Sequence, residues 1–585
     1  MCGIAGVMTV DGGPPAAELL REMAGALVHR GPDGEGCYRS ADVGMVQRRL
    51  AIIDLATGDQ PLYEPRGAAL VANAEIYNYI ELRAAMPDVV FATNSDCELP
   101  LHLYRRHGLD FTSRLRGMYA LALHDPDGGQ LVLARDPFGI KPLYYAETAR
   151  FLAFASEPQA LIAAGVVTPR VNASARNELL QLQFTTGRET IFTGISRVLP
   201  GETIVARGGR IVERRRIEAL PQGPPRVLAE AEALERLDAA LIDSVRVHQR
   251  SDVPFGMFLS SGIDSAAVLA TMAKLAERPV KAFTVGFTDS TVADERPGAR
   301  AVARTVDAEH VEVAFGEDDF WELLPEIVTA LDDPVADYAV LPSYKLARVA
   351  RQAGIKVLLT GEGGDELFSG YGRYRSVMRP WWLGGRRPRA RGIFDGLGLL
   401  REDASSWRDG IAAAEVRLAT AGRSPLQVAQ AVDCADWLPN DLLTKLDRCL
   451  MAHGAEGRTP FLDPVVADFA FCLPDTLKIH RGLGKWLLRR WLAAHLPAAQ
   501  PFARKLGFTV PVAQWIARRG GKVGTWVARS PAVAEICLPT AVEQAFATAD
   551  QKRAGYAAWT LLFYALWHRR HIEGETSVPD ALARP

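Results

Sequence analysis

The second residue is the first with chemistry to offer. Cys2 becomes the amino-terminal residue if Met1 is removed, as a small second side chain favours, and a thiol then stands beside a free α-amine. With a pKa of about 7.7–8.0 that amine can act as general base toward its own side chain, the amino-terminal form of nucleophilic catalysis. A lone cysteine here reads equally as a small buried hydrophobe, so it needs company to become a nucleophile. A second centre lies at 260–265, where the apolar run VPFGMFL enters SSGIDS and then AAVLATMAKLA. A Ser/Gly turn between a strand's carboxyl end and a helix offers backbone N–H groups and the helix dipole to phosphate. The chain lacks GxxxxGK[ST], which disfavours a Walker-type kinase or ATPase. The third centre, LLTGEGGDELFSGYGRY at 358–374, ends a strand in a glycine-rich acidic turn with Glu362, Asp365 and Glu366. Carboxylates facing a phosphate loop require a hard cation, and Mg2+ takes one or two of them beside the phosphates.

These centres need scaffolds. Up to residue 205 the short runs IAGVMTV, AALVANA, YALALHD, QLVLARD, PLYYAE and FLAFASE, separated by Gly, Pro and Asp turns, predict an α+β or sandwich domain. The Gly-, Pro- and Arg-rich stretch 206–225 reads as a closing hairpin and linker. From residue 227 amphipathic stretches alternate with the apolar runs VPFGMFLS, PVKAFTVGF and IKVLLT. That alternation predicts a doubly wound parallel sheet with ligands at the carboxyl ends of its strands. The remainder reads as helical and Trp-rich, without repeats.

The chain has 585 residues, enough for two to four domains at roughly 150 residues each. Its 67 Lys+Arg against 69 Asp+Glu, scattered without long blocks of one sign, argue against a dedicated nucleic-acid or polybasic membrane partner. The hydrophobic fraction is an ordinary 48%, and no run approaches the roughly 18 apolar residues that cross a bilayer. Seven dispersed cysteines, with no CxxC pair, argue against a disulfide framework or structural zinc. The first residues lack a basic segment ahead of an apolar one, so the cytoplasm is the expected compartment.

MCGIAG, HRGPDG (29–34), RRLAIIDL (48–55), NAEIYNY (73–79), NSDCE (94–98) and RDPFGIKPLYY (135–145) follow one another in that order. The set resembles the glutaminase domain of class II glutamine amidotransferases, in the variety found in glutamine-dependent asparagine synthetases. The resemblance implies an α+β N-terminal-nucleophile (Ntn) hydrolase-type sandwich over 2–205, with Cys2 as nucleophile. It implies further that the Asn73 side chain and the Ala74 N–H form the oxyanion hole, and that Arg49, Glu75 and Asp96 hold glutamine. Two departures stand out: Ala74 replaces the family's usual Gly, which keeps the donor but makes φ > 0 costly, and Gln47 stands where a His is common.

SSGIDS resembles the SGGxDS loop of ATP pyrophosphatases, the PP-loop, with Ser261 in place of a Gly, and Asp294 and Glu295 fit the same order. AEGRTPFLD (455–463), GLGKWLLRR (482–490) and ARKLGFTVPVAQW (503–515) extend the likeness. It implies an α/β doubly wound parallel-sheet ATP-pyrophosphatase domain over 227–520, after a linker at 206–226 and before a helical C-terminal tail, 521–585, of unknown role. ATP would be held by Ser260, Ser261, Gly262, Ile263, Asp264, Ser265 and Gly361, and Mg2+ by Asp264 and Asp365. Glu362 would lie near the reacting acyl carbon, and Lys485, in an amphipathic helix, would meet the α-phosphate. The two halves together would release ammonia from glutamine and use it on an acyl-adenylate, giving AMP, pyrophosphate, glutamate and an amide. A sheltered, mainly apolar passage between the sites is expected. Aspartate is the family's default acceptor; carboxylates of specialised metabolites, modified peptides or surface glycans are alternatives. Cys2 and Glu362 together speak against the relatives that close β-lactam rings or cyclise peptides, and the intact set of residues speaks against a regulatory pseudoenzyme. The expected partners are these small molecules, with no nucleic acid and no membrane, and enzymes of this kind are often homodimers.

Overall fold

The computed structural model describes residues 2–288, 290–402, 406–503 and 509–582. The first half is a sandwich of two antiparallel six-stranded sheets. Gly3–Thr9 lies inside one sheet between Val43–Arg49 and Phe151–Ala155, and Ala69–Ile76 lies in the other beside Gly117–Asp125. Strand periodicity explains why the run IAGVMTV is apolar without interruption: Ile4 and Met8 point between the sheets, whereas Ala5 and Val7 point outward. The outward face is covered by Leu20, Met23 and Ala24 of the helix Ala17–Ala26. Helix Leu99–His107 covers the other sheet in the same way. Glu202–Arg207 and Arg210–Arg216 pair as a hairpin on the edge of that sheet, so residues 206–216 belong to the sandwich. The connection proper is 217–229, which has no helix or strand.

The second half is built on a five-stranded, all-parallel sheet. In spatial order its strands are Glu309–Phe315, Lys281–Phe287, Phe255–Phe258, Val357–Leu359 and Glu456–Arg458. The chain moves outward in one direction after Phe255–Phe258 and then returns to that strand's other side. The strand order therefore reverses between Phe255–Phe258 and Val357–Leu359, the switch point where open α/β sheets bind ligands. Both turns singled out in the sequence leave the sheet at these two adjacent strands. The last helix, Lys552–His571, is stitched into the body: Trp559 and Trp567 are fully buried, and their indole N–H groups donate to the carbonyls of Ala336 (2.6 Å) and Asp332 (3.0 Å). No described helix is long and apolar enough to cross a membrane.

Buried charge holds the halves together. Arg30 and Glu157 of the sandwich meet Asp447, Arg448 and Asp332 of the second half in one network, with contacts of 2.6 Å (Arg30–Glu157), 2.7 Å (Arg30–Asp447) and 2.9 Å (Arg448–Asp332). Arg197 and Tyr144 reach Asp333 across the same boundary at 2.7 and 2.8 Å. Removing one member of such a network strands the others in low dielectric. Arg448→Met is therefore expected to destabilise the protein by about 3–5 kcal/mol, read as a lower denaturation midpoint, whereas Arg300→Met at an exposed pair with Glu312 should leave that midpoint essentially where it is.

Candidate functional site

The strand Gly3–Thr9 begins beside the carboxyl-terminal part of Ala69–Ile76, and this sets Cys2 against Asn73. The Cys2 backbone N–H donates to Asn73 Oδ1 at 3.0 Å, while Asn73 Nδ2 is buried and has no hydrogen-bond partner among the described residues. An unspent amide donor beside a thiol is what a tetrahedral oxyanion requires. Cys2 is buried and burial pushes its thiol pKa up, so the thiol is neutral at rest and needs a base. Arg30 Nε donates to the Cys2 carbonyl at 3.2 Å, which fixes the backbone of the cysteine from the domain boundary. Ala74 lies in extended backbone opposite Tyr119, so the glycine freedom that the motif comparison suggested is not needed there.

Arg49 is oriented by the Asp54 carbonyl (2.5 Å) and by the exposed carboxylate of Asp59 (2.6 Å). Asp96, at the start of a short helical turn capped by Ser95, accepts from the Ile76 N–H at 2.7 Å. Burial raises its carboxyl pKa to about 6. Glu75 is otherwise engaged: its carboxylate makes a 2.8 Å ion pair with Arg458 of the parallel sheet, without the alignment of a hydrogen bond. Arg458 is completely buried, is also held by Glu456 at 2.6 Å, and donates to the His248 and Arg250 carbonyls. The glutaminase pocket thus backs directly onto the edge strand Glu456–Arg458. Lys141 is fully buried within electrostatic reach of Glu456, Asp447 and Glu75, and burial pushes its ammonium pKa down.

At the switch point of the parallel sheet the serine-rich turn closes on itself. Ser265 Oγ accepts from the Ser260 N–H at 3.1 Å, Ser260 Oγ accepts from the Gly262 N–H at 3.1 Å, and the two hydroxyls lie 2.9 Å apart. Helix Ile263–Leu275 starts immediately after, with Asp264 in its first turn. The acidic turn packs against this loop through missing side chains: a Cβ on Gly361 would lie 2.9 Å from Asp264 Cβ, and one on Gly364 would lie 2.6 Å from Asp264 Cγ. Glu362 follows Gly361 in this turn, and burial raises its carboxyl pKa. Lys485 completes the group. Its ammonium bridges Asp264 and Asp365, the latter at 2.6 Å. Burial alone would push Lys485 down, but the two carboxylates outweigh it and keep the ammonium charged. Two hard carboxylates around one cation also suit Mg2+ next to phosphates. Among the described residues no three His, Cys, Asp or Glu converge as a complete metal cage.

Lys485 does not sit inside a helix, as the sequence suggested. It precedes the helix Trp486–His495 with a left-handed backbone (φ 58°), a conformation that aims its side chain back at the phosphate loop. Of the segment 503–515, residues 504–508 lie outside the described residues. Sequence reasoning passed over Arg30, Asp447, Arg448 and the segment Asp433–Lys445. The signal was available only as charged residues inside otherwise apolar stretches such as TKLDRCLM.

The asparagine synthase family model matches residues 236–569, and the glutamine amidotransferase domain model matches 1–216. The chain is 32% identical to asparagine synthetase [glutamine-hydrolyzing] 1 of Bacillus subtilis, over 100% of this chain and 99% of that protein. It is 29% identical to asparagine synthetase [glutamine-hydrolyzing] 2 of the same organism, over 87% and 72%. Amidase chry2 of Gibberella zeae is 31% identical over 64% of this chain and 60% of its own length.

Proposed function

The chain belongs to the glutamine-hydrolysing asparagine synthetase family, and from that premise we propose that it converts aspartate to asparagine with ATP and glutamine. Another carboxylic acid treated by the same two steps is the second reading, favoured by the likeness to an amidase. One observation carries the proposal: a buried thiol with an unspent amide donor backs onto the sheet whose switch point holds Asp264, Asp365 and Lys485.

In the first step the α-amine of Cys2 takes the thiol proton, and the sulfur adds to the amide carbon of glutamine. Asn73 Nδ2 and the Ala74 N–H face the oxyanion. The C–N bond breaks, ammonia leaves with the proton, and water hydrolyses the thioester to glutamate. Arg49 meets the α-carboxylate of glutamine and Asp96 its α-ammonium, while Glu75 serves through Arg458. In the second step a carboxylate oxygen of the acceptor attacks the α-phosphorus of ATP and pyrophosphate leaves. Ammonia then attacks the acyl carbon, AMP departs, and Glu362 lies where the nitrogen sheds its proton. The turn 260–265 and Gly361 cradle the phosphates, and Lys485 balances charge at the α-phosphate. Asp264 and Asp365 would hold Mg2+, which supplies positive charge to the phosphate oxygens.

Ammonia is protonated in water, so its transfer needs shelter. Leu50, Ile52, Phe138 and Ile140 of the sandwich pack with Met257, Leu359 and Phe461 of the second half in one apolar cluster, which supports a passage there. Charged groups, Lys141, Glu456 and Arg458, stand at its glutaminase end. The substrates are metabolites of the cytoplasm, the compartment we assign. Pyrophosphate release should appear with L-aspartate, ATP and either glutamine or ammonium; release with another acid and silence with aspartate would replace the acceptor.

A further inference from the structure

Outside both catalytic centres a cavity of about 540 Å³ opens, a size that takes a small organic molecule. Its walls are the helices Gly372–Val377, Asp409–Leu418 and Pro425–Val432 and the segment 379–388. Val377, Val428 and Val432 give it an aliphatic inner lining, while the exposed Val416, Arg379, Arg386 and Arg387 surround its mouth. None of these three arginines has an ion pair or a side-chain hydrogen bond among the described residues. The one acid of the lining, Glu415, is already paired with Arg408 at 2.5 Å. A chain of net charge −2 thus gathers positive charge here: residues 372–391 hold seven arginines and no acid. An aliphatic cavity with surplus cations at its mouth is complementary to an organic anion with an apolar body.

Two of the walls lead directly into the acidic turn. Gly372–Val377 follows Tyr371 without a break, and its Arg373 (2.8 Å) and Tyr374 hydroxyl (2.7 Å) hold Asp433, the residue that ends Pro425–Val432. Pro425–Val432 gives Val428 and Val432 to the cavity, and Gln430 lies roughly 200° round the helix from each of them. Gln430 is fully buried, and its amide donates to the Glu366 and Leu367 carbonyls, both at 2.7 Å. Those residues come immediately after Asp365, one of the two carboxylates under Lys485. The same helix therefore lines the cavity with one face and holds the acidic turn with the other.

We propose that this cavity is an effector site for a small amphiphilic organic anion, whose apolar body lies against the valines and whose charged head meets Arg386 and Arg387, and that its occupation steadies the acidic turn through Gln430 and Asp433. The cavity exists in the arrangement that sets Lys485 over Asp264 and Asp365. A ligand bound there favours that arrangement over others. Nucleotide and effector then tighten one another's binding by the same factor, of the order of five- to 150-fold for couplings of this kind. The site goes beyond the amide-synthesis reading and uses it only for the nucleotide at the turn.

The test is calorimetric binding to the full chain of decanoate, of 1-decanol, which has the body without the charge, and of acetate, which has the charge without the body. Decanoate should bind at least about tenfold tighter than either. Replacing Arg386→Gln and Arg387→Gln together should erase the preference for decanoate over decanol. Val416→Asp, at a side chain 81% exposed, should weaken decanoate and spare decanol. Hydrogen exchange of the amides in 361–371 should slow when decanoate binds the wild type and not the double variant. Non-cleavable α,β-methylene ATP should bind at least about fivefold tighter with decanoate present, and unchanged glutamate release from glutamine shows that each variant is folded. Decanol binding as tightly as decanoate, a double variant that binds decanoate like the wild type, exchange that ignores decanoate, or nucleotide that binds with no regard to it would overturn the effector site and leave amide synthesis standing. The expected binding and exchange in a chain that neither binds nucleotide nor releases pyrophosphate would support the site and remove the amide-synthesis reading instead.

Discussion

Cys2→Ala is expected to reduce glutamine-driven amide formation by roughly ten-thousandfold or more, the scale on which loss of a nucleophile is felt, while ammonium-driven synthesis stays within about twofold of wild type. The asymmetry follows from geometry. Cys2 carries the proposed nucleophilic sulfur, on a backbone held by Asn73, so no substitute attacks the amide carbon when it is gone. Its replacement removes a small buried side chain and leaves the Arg30 contact to the backbone carbonyl in place. The synthetase centre lies on the far side of the Glu75–Arg458 pair and contains none of these atoms. Glutamate release measured beside pyrophosphate release separates the two: glutamine-driven activity that persists in Cys2→Ala would remove the thiol from the mechanism.

The second large effect has the opposite pattern. Lys485→Met should lower pyrophosphate release about a hundred- to thousandfold with either nitrogen source, the cost of removing one preorganised charge from a developing transition state. Glutaminase activity should hold. In the wild type one ammonium serves Asp264 and Asp365 together; without it two carboxylates repel each other beneath a polyanionic nucleotide. Gly370→Ala reaches the same end by crowding, because a Cβ there would lie 1.7 Å from Asp365 Oδ1 and 2.3 Å from Lys485 Cε. Pyrophosphate release at the wild-type rate in Lys485→Met would refute the charge-balancing role.

Legibility differed from element to element for definite reasons. Strands buried on both faces, such as Gly3–Thr9 and Lys281–Phe287, stood out as unbroken apolar runs. Gly34–Arg39 did not, because it is an edge strand that alternates between partly buried and exposed residues and carries two glycines. Glu309–Phe315 was hidden by its exposed glutamates, and Glu456–Arg458 by being entirely polar. That last strand is nevertheless fully buried, since the Arg458 guanidinium pairs with Glu456 within the strand and with Glu75 across the domain boundary. Residues 206–216 were grouped with the linker, although a closing hairpin was expected there, because the outer strand, RIVERRR, faces solvent.

The sequence by itself determined the two chemistries. A nucleophile at position two, a Ser/Gly turn between strand and helix, and a glycine-rich acidic turn are local patterns, and each is nearly complete within a few consecutive residues. Tertiary structure alone decided what these groups face. It set Cys2 on Asn73, paired Glu75 with Arg458, drew Lys485 back over Asp264 and Asp365, and buried Asp441 with no hydrogen-bond partner among the described residues. The physical reason is that a charged side chain reads the same in sequence whether it ends in water or in a dry interior. Only the fold fixes its dielectric surroundings and the distant residues that share its charge.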